Sequence, residues 1–191
     1  MIEHVKIILT RLKEMNDQMT SKKIVFSAIL ASLAIIFGLI EGMLPSPTNF
    51  VLGAKLGLTN IVILIALYTL DVKTALKINL VRVTLVALLL GSFSSFYYSL
   101  AGAMLSLFAM CLVKHLGQEK VSIIGVSVMG SLFHHLGQLA MASIFSKTWM
   151  IFNYLPILSL VGILTGVLTG VLAHLLLGYL AHTSILPLNH L

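Results

Sequence analysis

From Ile24 to Ala181 the chain is a succession of apolar runs, broken at short intervals by polar or helix-stopping residues. The runs cover about 24–44, 56–70, 74–90, 96–113, 121–145 and 157–181. Pro45-Ser46-Pro47 stops the first run, because proline cannot continue a helical hydrogen-bond ladder, and the stretch 48–55 follows as a loop or re-entrant segment. Asp71-Val72-Lys73, Gly91-Ser92-Phe93-Ser94-Ser95, the polar run 114–120 and the aromatic segment 149–156 separate the others. A helix needs about 20 residues to cross the hydrocarbon core, or about 17 at the short end. The second run is short by that measure. The pattern predicts an all-α fold: an integral membrane bundle of six transmembrane helices.

Ahead of it, residues 1–23 repeat apolar positions at steps of three and four (Val5, Ile8, Leu12, Met15, Met19) among many charges. That spacing predicts an amphipathic helix on the cytoplasmic surface or on a partner. A solubilising tail is the plainer alternative. The charges are too dense for a cleavable signal peptide. The chain thus divides into an amphipathic cytoplasmic segment 1–23, a transmembrane domain 24–181 and a cytoplasmic tail 182–191.

Composition agrees. The 191 residues are 59% hydrophobic and 9% charged, against roughly 25% charged in soluble domains. A net charge of +6 would suggest nucleic acid in a soluble protein. Here the positive-inside bias explains it and no nucleic acid is expected. Six spans put both termini on one side with Lys73, Lys77, Lys114 and Lys120, leaving Lys55 and Lys147 opposite. The first side is therefore cytoplasmic, and the protein is a multi-pass protein of a bacterial plasma membrane in contact with membrane lipid. Tyr97, Tyr98, Trp149 and Tyr154 then fall near the outer interface, where aromatic residues collect. The single cysteine, Cys111, excludes an intrachain disulfide and reads as packing.

Polar residues inside these runs carry the functional information. At about 1.5 Å per residue, Glu41 lies about 25 Å up the first span and Asn60 about 6 Å below the outer start of the second. On the same scale His134 and Gln138 lie about 20 and 26 Å up the fifth, and Arg82 about 12 Å up the third. Residues from separate helices thus converge on the outer half of the membrane, with Arg82 deeper. Intramembrane ionisable groups face a cavity or each other, so the pattern predicts a pocket for a small-molecule substrate. A guanidinium at that depth needs an acceptor, which a ligand carboxylate or phosphate would provide; pairing with Glu41 is the structural alternative. His134 and Gln138 share a face at i and i+4. His135 points about 100° away and is read as packing, and two adjacent histidines ligate one metal ion poorly, so no metal is expected. Asn79 and His174 are read as structural.

Small residues mark packing faces, because lipid gives helices no hydrophobic reason to associate. Gly162, Gly166 and Gly170 share one face of the last span. Ser27 with Ala31, and Ala28 with Ser32, form a stripe near the start of the first. A phosphate-binding loop, an Asp-rich diphosphate motif, a zinc-protease motif and a nucleophile elbow are all absent from the sequence. Binding is therefore expected rather than catalysis, and no cofactor.

The run Gly53-Ala54-Lys55-Leu56-Gly57-Leu58-Thr59-Asn60-Ile61-Val62 resembles a signature of the Gx transporter family, often labelled heptaprenyl diphosphate synthase component I. Asn79-Leu80-Val81-Arg82, Ser99-Leu100-Ala101-Gly102, His134-His135-Leu136-Gly137-Gln138 and Tyr154-Leu155-Pro156 resemble further pieces of it. His135 departs from the family pattern, which has asparagine there. The resemblance covers about residues 22–180. That family is in turn similar to the substrate-binding S-components of energy-coupling-factor (ECF) importers. The resemblance implies a six-helix subunit that captures a vitamin-like or isoprenoid-precursor molecule from outside. It adds Lys55 to the site with Glu41, Asn60, Arg82, His134 and Gln138. It also implies docking on a coupling protein, accompanied by two ATPase subunits, through Ser27, Ala28, Ala31 and Ser32. The label itself suggests the alternative, a non-transporting subunit of isoprenoid or menaquinone metabolism or of a membrane redox assembly.

Overall fold

The computed structural model describes residues 2–43, 57–117 and 120–182, with side chains from residue 20 onward. The order is α1 Ile2–Met43, α2 Leu58–Thr69, α3 Val72–Leu90, α4 Phe93–Gly117, α5 Ile123–Ser146, a 3-10 helix Trp149–Tyr154, and α6 Leu155–His182. Every regular element among the described residues is helical. The first helix continues without a break from the charged N-terminal stretch into the first apolar run.

Four stretches are long and apolar enough to cross a membrane: Thr20–Met43, Phe93–Gly117, Ile123–Ser146 and Trp149–His182. This is a helical membrane bundle. The other two apolar runs form helices that do not meet that standard. Lys73, Lys77 and Arg82 interrupt the apolar character of the 19-residue α3. α2 has 12 residues, about 18 Å at the usual rise, against a hydrocarbon core of about 30 Å.

α2 is nevertheless the centre of the fold. It packs on α1, α3, α4, α5 and α6, while contacts run around it from α1 to α3, α4, α5 and α6. Among the described residues α1 and α6 do not touch. Thr59 and the unbroken run Ile61–Leu67 are buried, as expected of a helix that is apolar all round.

Both ends of α2 are closed by charged side chains from other helices. Gly57 precedes it in the left-handed region (φ 79°) and offers no capping side chain. Glu41 of α1 caps it instead: Leu58 N–H donates to Oε1 at 2.6 Å and the Thr59 hydroxyl to Oε2 at 2.9 Å. At the other end Lys114 of α4 donates to the Leu67 carbonyl at 2.7 Å and stands 4.3 Å from the centre of the Tyr68 ring. An acid at the N-terminus and a cation at the C-terminus both oppose the helix dipole. Hydrogen bonds to charged groups contribute about 1.5–3 kcal/mol. Glu41→Ala and Lys114→Met are therefore each expected to lower stability by about 1–3 kcal/mol, with Glu41→Gln milder because an acceptor remains. Thermal unfolding of the detergent-solubilised protein measures this; a Glu41→Ala protein as heat-stable as the parent would contradict the capping role.

Glycines set the distances between helices. A Cβ on Gly38 would come within 2.8 Å of Val86, and one on Gly42 would strike Leu90, so α1 lies against α3 along Gly38 and Gly42. The α6 glycines face α5: Gly162 meets His135 and Leu132, Gly166 meets Val128 and Ser131, and Gly170 meets Ile124 and Ser127. Added Cβ atoms at Gly166 and Gly170 would lie 2.7 Å from the Cα atoms of Val128 and Ile124. A hydroxyl pair, Ser127 and Thr169 at 2.8 Å, joins the same two helices.

Candidate functional site

Glu41, Asn60, Arg82 and His134, which come from four helices, line one cavity together with Gly57, Thr59, Ser131, His135 and Thr165. Its volume is about 20 Å³, enough for about one water. Anything larger than a water would need one wall to move.

Arg82 is 6% exposed. One Nη donates to Asn79 Oδ1 at 2.8 Å, and Asn79 Nδ2 donates in turn to the Ala103 carbonyl at 3.1 Å. Asn79 thus ties Arg82 to α4 and holds its guanidinium in place. The Arg82 Nε is buried with no hydrogen-bond partner. Glu41 lines the same cavity, but its two oxygens are engaged at the end of α2. Arg82 therefore keeps unused donor capacity beside the cavity, whereas each oxygen of Glu41 already accepts a hydrogen bond.

The two histidines splay apart. His134 packs against Gly102 of α4 and His135 against Gly162 of α6; an added Cβ at either glycine would lie 3.0 Å from the ring. The rings meet edge to face at 6.1 Å between centroids. His135, read from the sequence as packing, packs on α6 and also lines the cavity. Its Nδ1 and the Ser131 hydroxyl are buried without hydrogen-bond partners.

A model of the family heptaprenyl diphosphate synthase component I matches residues 30–176. The chain belongs to that family. No curated protein and no solved structure matches it. The heptaprenyl diphosphate synthase component I match takes in every residue placed here around the cavity, from Glu41 to Thr165.

The remaining site residues read from the sequence fall elsewhere. Gln138 lines a second cavity, between α4 and α5, rather than the one at Arg82. Lys55 lies outside the described residues. On α1, Ala28 and Ser32 are exposed, while Ser27 and Ala31 are partly buried and Ala31 packs against the core. The Ser27 and Ser32 hydroxyls donate to the carbonyls four residues back, at 2.7 and 2.9 Å. Thr59, Asn79 and Ser131 were not singled out as site residues by the sequence reading. The i, i+3 spacing of Asn79 and Arg82 was the available signal for the first pairing.

Proposed function

We propose that this chain is the substrate-binding membrane subunit of an ECF-type importer. It captures a small vitamin-like or isoprenoid-precursor molecule from outside for uptake driven by partner ATPases. The observation that carries the reading is Arg82: a guanidinium inside an apolar bundle, held on one side by Asn79, with an unpartnered Nε beside a cavity edged by two histidines and Asn60. Keeping a buried charge so incompletely paired is costly, and a ligand carboxylate or phosphate would complete its hydrogen bonds. In this reading six helices cross the membrane, both termini are cytoplasmic, and the exposed pair Ala28 and Ser32 meets the coupling protein.

One observation favours a second reading. The family is named for a component of heptaprenyl diphosphate synthase, and a diphosphate would also suit Arg82. The chain would then present an isoprenoid diphosphate to a membrane-associated enzyme. Affinity purification from the native membrane separates the two. Recovery of a coupling protein with two ATPases, together with a co-purifying small molecule identified by mass spectrometry, is the expected result. Recovery of a prenyltransferase without ATPases would replace the first reading with the second.

A further inference from the structure

We infer that the crevice between the start of α4 and the end of α5 is a second binding site, for an uncharged amphiphile drawn from the membrane. The cavity there has a volume of about 320 Å³, far larger than the one at Arg82 and at the low end of the roughly 300–1,000 Å³ of small-molecule sites. Ser95, Tyr98 and Ser99 come from α4, Gln138 and Ala142 from α5, and Tyr154 from the 3-10 helix. Hydroxyls, a carboxamide and apolar side chains make up this wall. Among the described residues no charged side chain lines it, and Lys147, which follows the lining residue Ser146, is exposed.

That chemistry sets the ligand class. A charged group drawn into an apolar bundle needs a counter-charge, and the described residues of this wall supply none. Gln138 is 8% exposed, and its carboxamide carries two donors and an oxygen with two lone pairs. At the wall of the crevice it can donate to a carbonyl and accept from a hydroxyl of a neutral ligand. Phe145 lies 5.7 Å from Tyr97 and 5.6 Å from Tyr98 between ring centroids. The exposed Phe145 and Tyr97 give an aromatic margin along which an acyl chain can leave. A polar uncharged head with an apolar tail fits both halves. The inference does not depend on the reading of the Arg82 cavity.

The test uses the full chain in phosphatidylcholine nanodiscs with a diazirine-bearing monoacylglycerol. The expected result is crosslinking to peptides of α4 and α5 around Tyr98 and Gln138. Excess plain monoacylglycerol should compete it away, and a fatty acid or alkyl phosphate of equal chain length should not. Ala142→Phe, which fills the crevice, should reduce labelling at least tenfold. Gln138→Leu, which keeps the volume and removes the carboxamide, should reduce it several-fold, and serves alone if the larger side chain prevents folding. Labelling spread evenly over all helices, equal competition by the charged lipids, or full labelling of Gln138→Leu would each overturn the inference.

Discussion

Arg82→Met is expected to weaken ligand binding by at least about thirtyfold while leaving the bundle folded. The two effects separate because the guanidinium is a poor stabiliser of its own surroundings. It is buried with an unpartnered Nε, and its hydrogen bond among the described residues goes to the uncharged amide of Asn79. A buried charge with incomplete pairing is itself destabilising, so an apolar side chain of similar length removes that cost, and Asn79 keeps its bond to the Ala103 carbonyl. Binding responds differently. Removing one partner of a buried charged contact costs about 2–5 kcal/mol, and each 1.4 kcal/mol is about tenfold in affinity. A loss of roughly thirtyfold to several thousandfold follows. Arg82→Lys keeps the charge but loses the planar fork, and should recover only part of it. Uptake into proteoliposomes containing the partner subunits, or retention of the co-purified molecule, measures the loss; thermal unfolding measures the fold. A folded Arg82→Met protein that binds within twofold of the parent would remove Arg82 from the site.

Gly137→Val is expected to have the largest effect on stability. A Cβ at Gly137 would lie 2.6 Å from the Ala101 carbonyl oxygen, 2.8 Å from its carbon and 2.9 Å from Gly102 Cα. All three are backbone atoms of α4, so no rotamer change relieves the clash. Overpacking costs about 1–3 kcal/mol where side chains can give way, and a rigid neighbour puts this position at or above the upper figure. The two helices must part, which also removes Gly102 from the ring of His134. Gly178→Ala is the control: nothing lies within 4 Å of its Cβ position. It should be unchanged or up to about 1 kcal/mol more stable, since alanine is the better helix former. Equal unfolding temperatures for the two variants would contradict the close α4–α5 approach.

Hydrophobic runs made most of the helices legible, because burial in lipid is written as uninterrupted apolarity. The short second run and the cations of the third were visible as well, yet their meaning was not. That α2 is the centre of the bundle depends on which helices surround it, and no periodicity encodes a neighbour. Depth arithmetic placed Glu41, Asn60, Arg82 and His134 at comparable or adjoining levels, and the structure brings these four around one cavity. The same arithmetic put Gln138 beside them, but depth says nothing of azimuth, and it borders another cavity. Gly38 and Gly42 stood in the sequence at the four-residue spacing read in α6, and they set how α1 approaches α3. Lys114 was read as the start of a polar loop. Its contact with the last turn of α2 is made across 47 positions of sequence, beyond any local pattern.

The short length of α2 also governs where polarity reaches within the bundle. Main-chain N–H groups in a lipid bilayer are ordinarily hidden inside continuous helices, and irregular backbone at depth survives only where protein surrounds it. A central helix that begins at Leu58 presents its first amide to the carboxylate of Glu41, among longer neighbours. The level of the polar cavity is then a matter of where one helix starts. Adding or removing a turn there would raise or lower the floor by about 5 Å while the surrounding frame stayed as it is. Such an architecture can accommodate ligands of different lengths by trimming a single element.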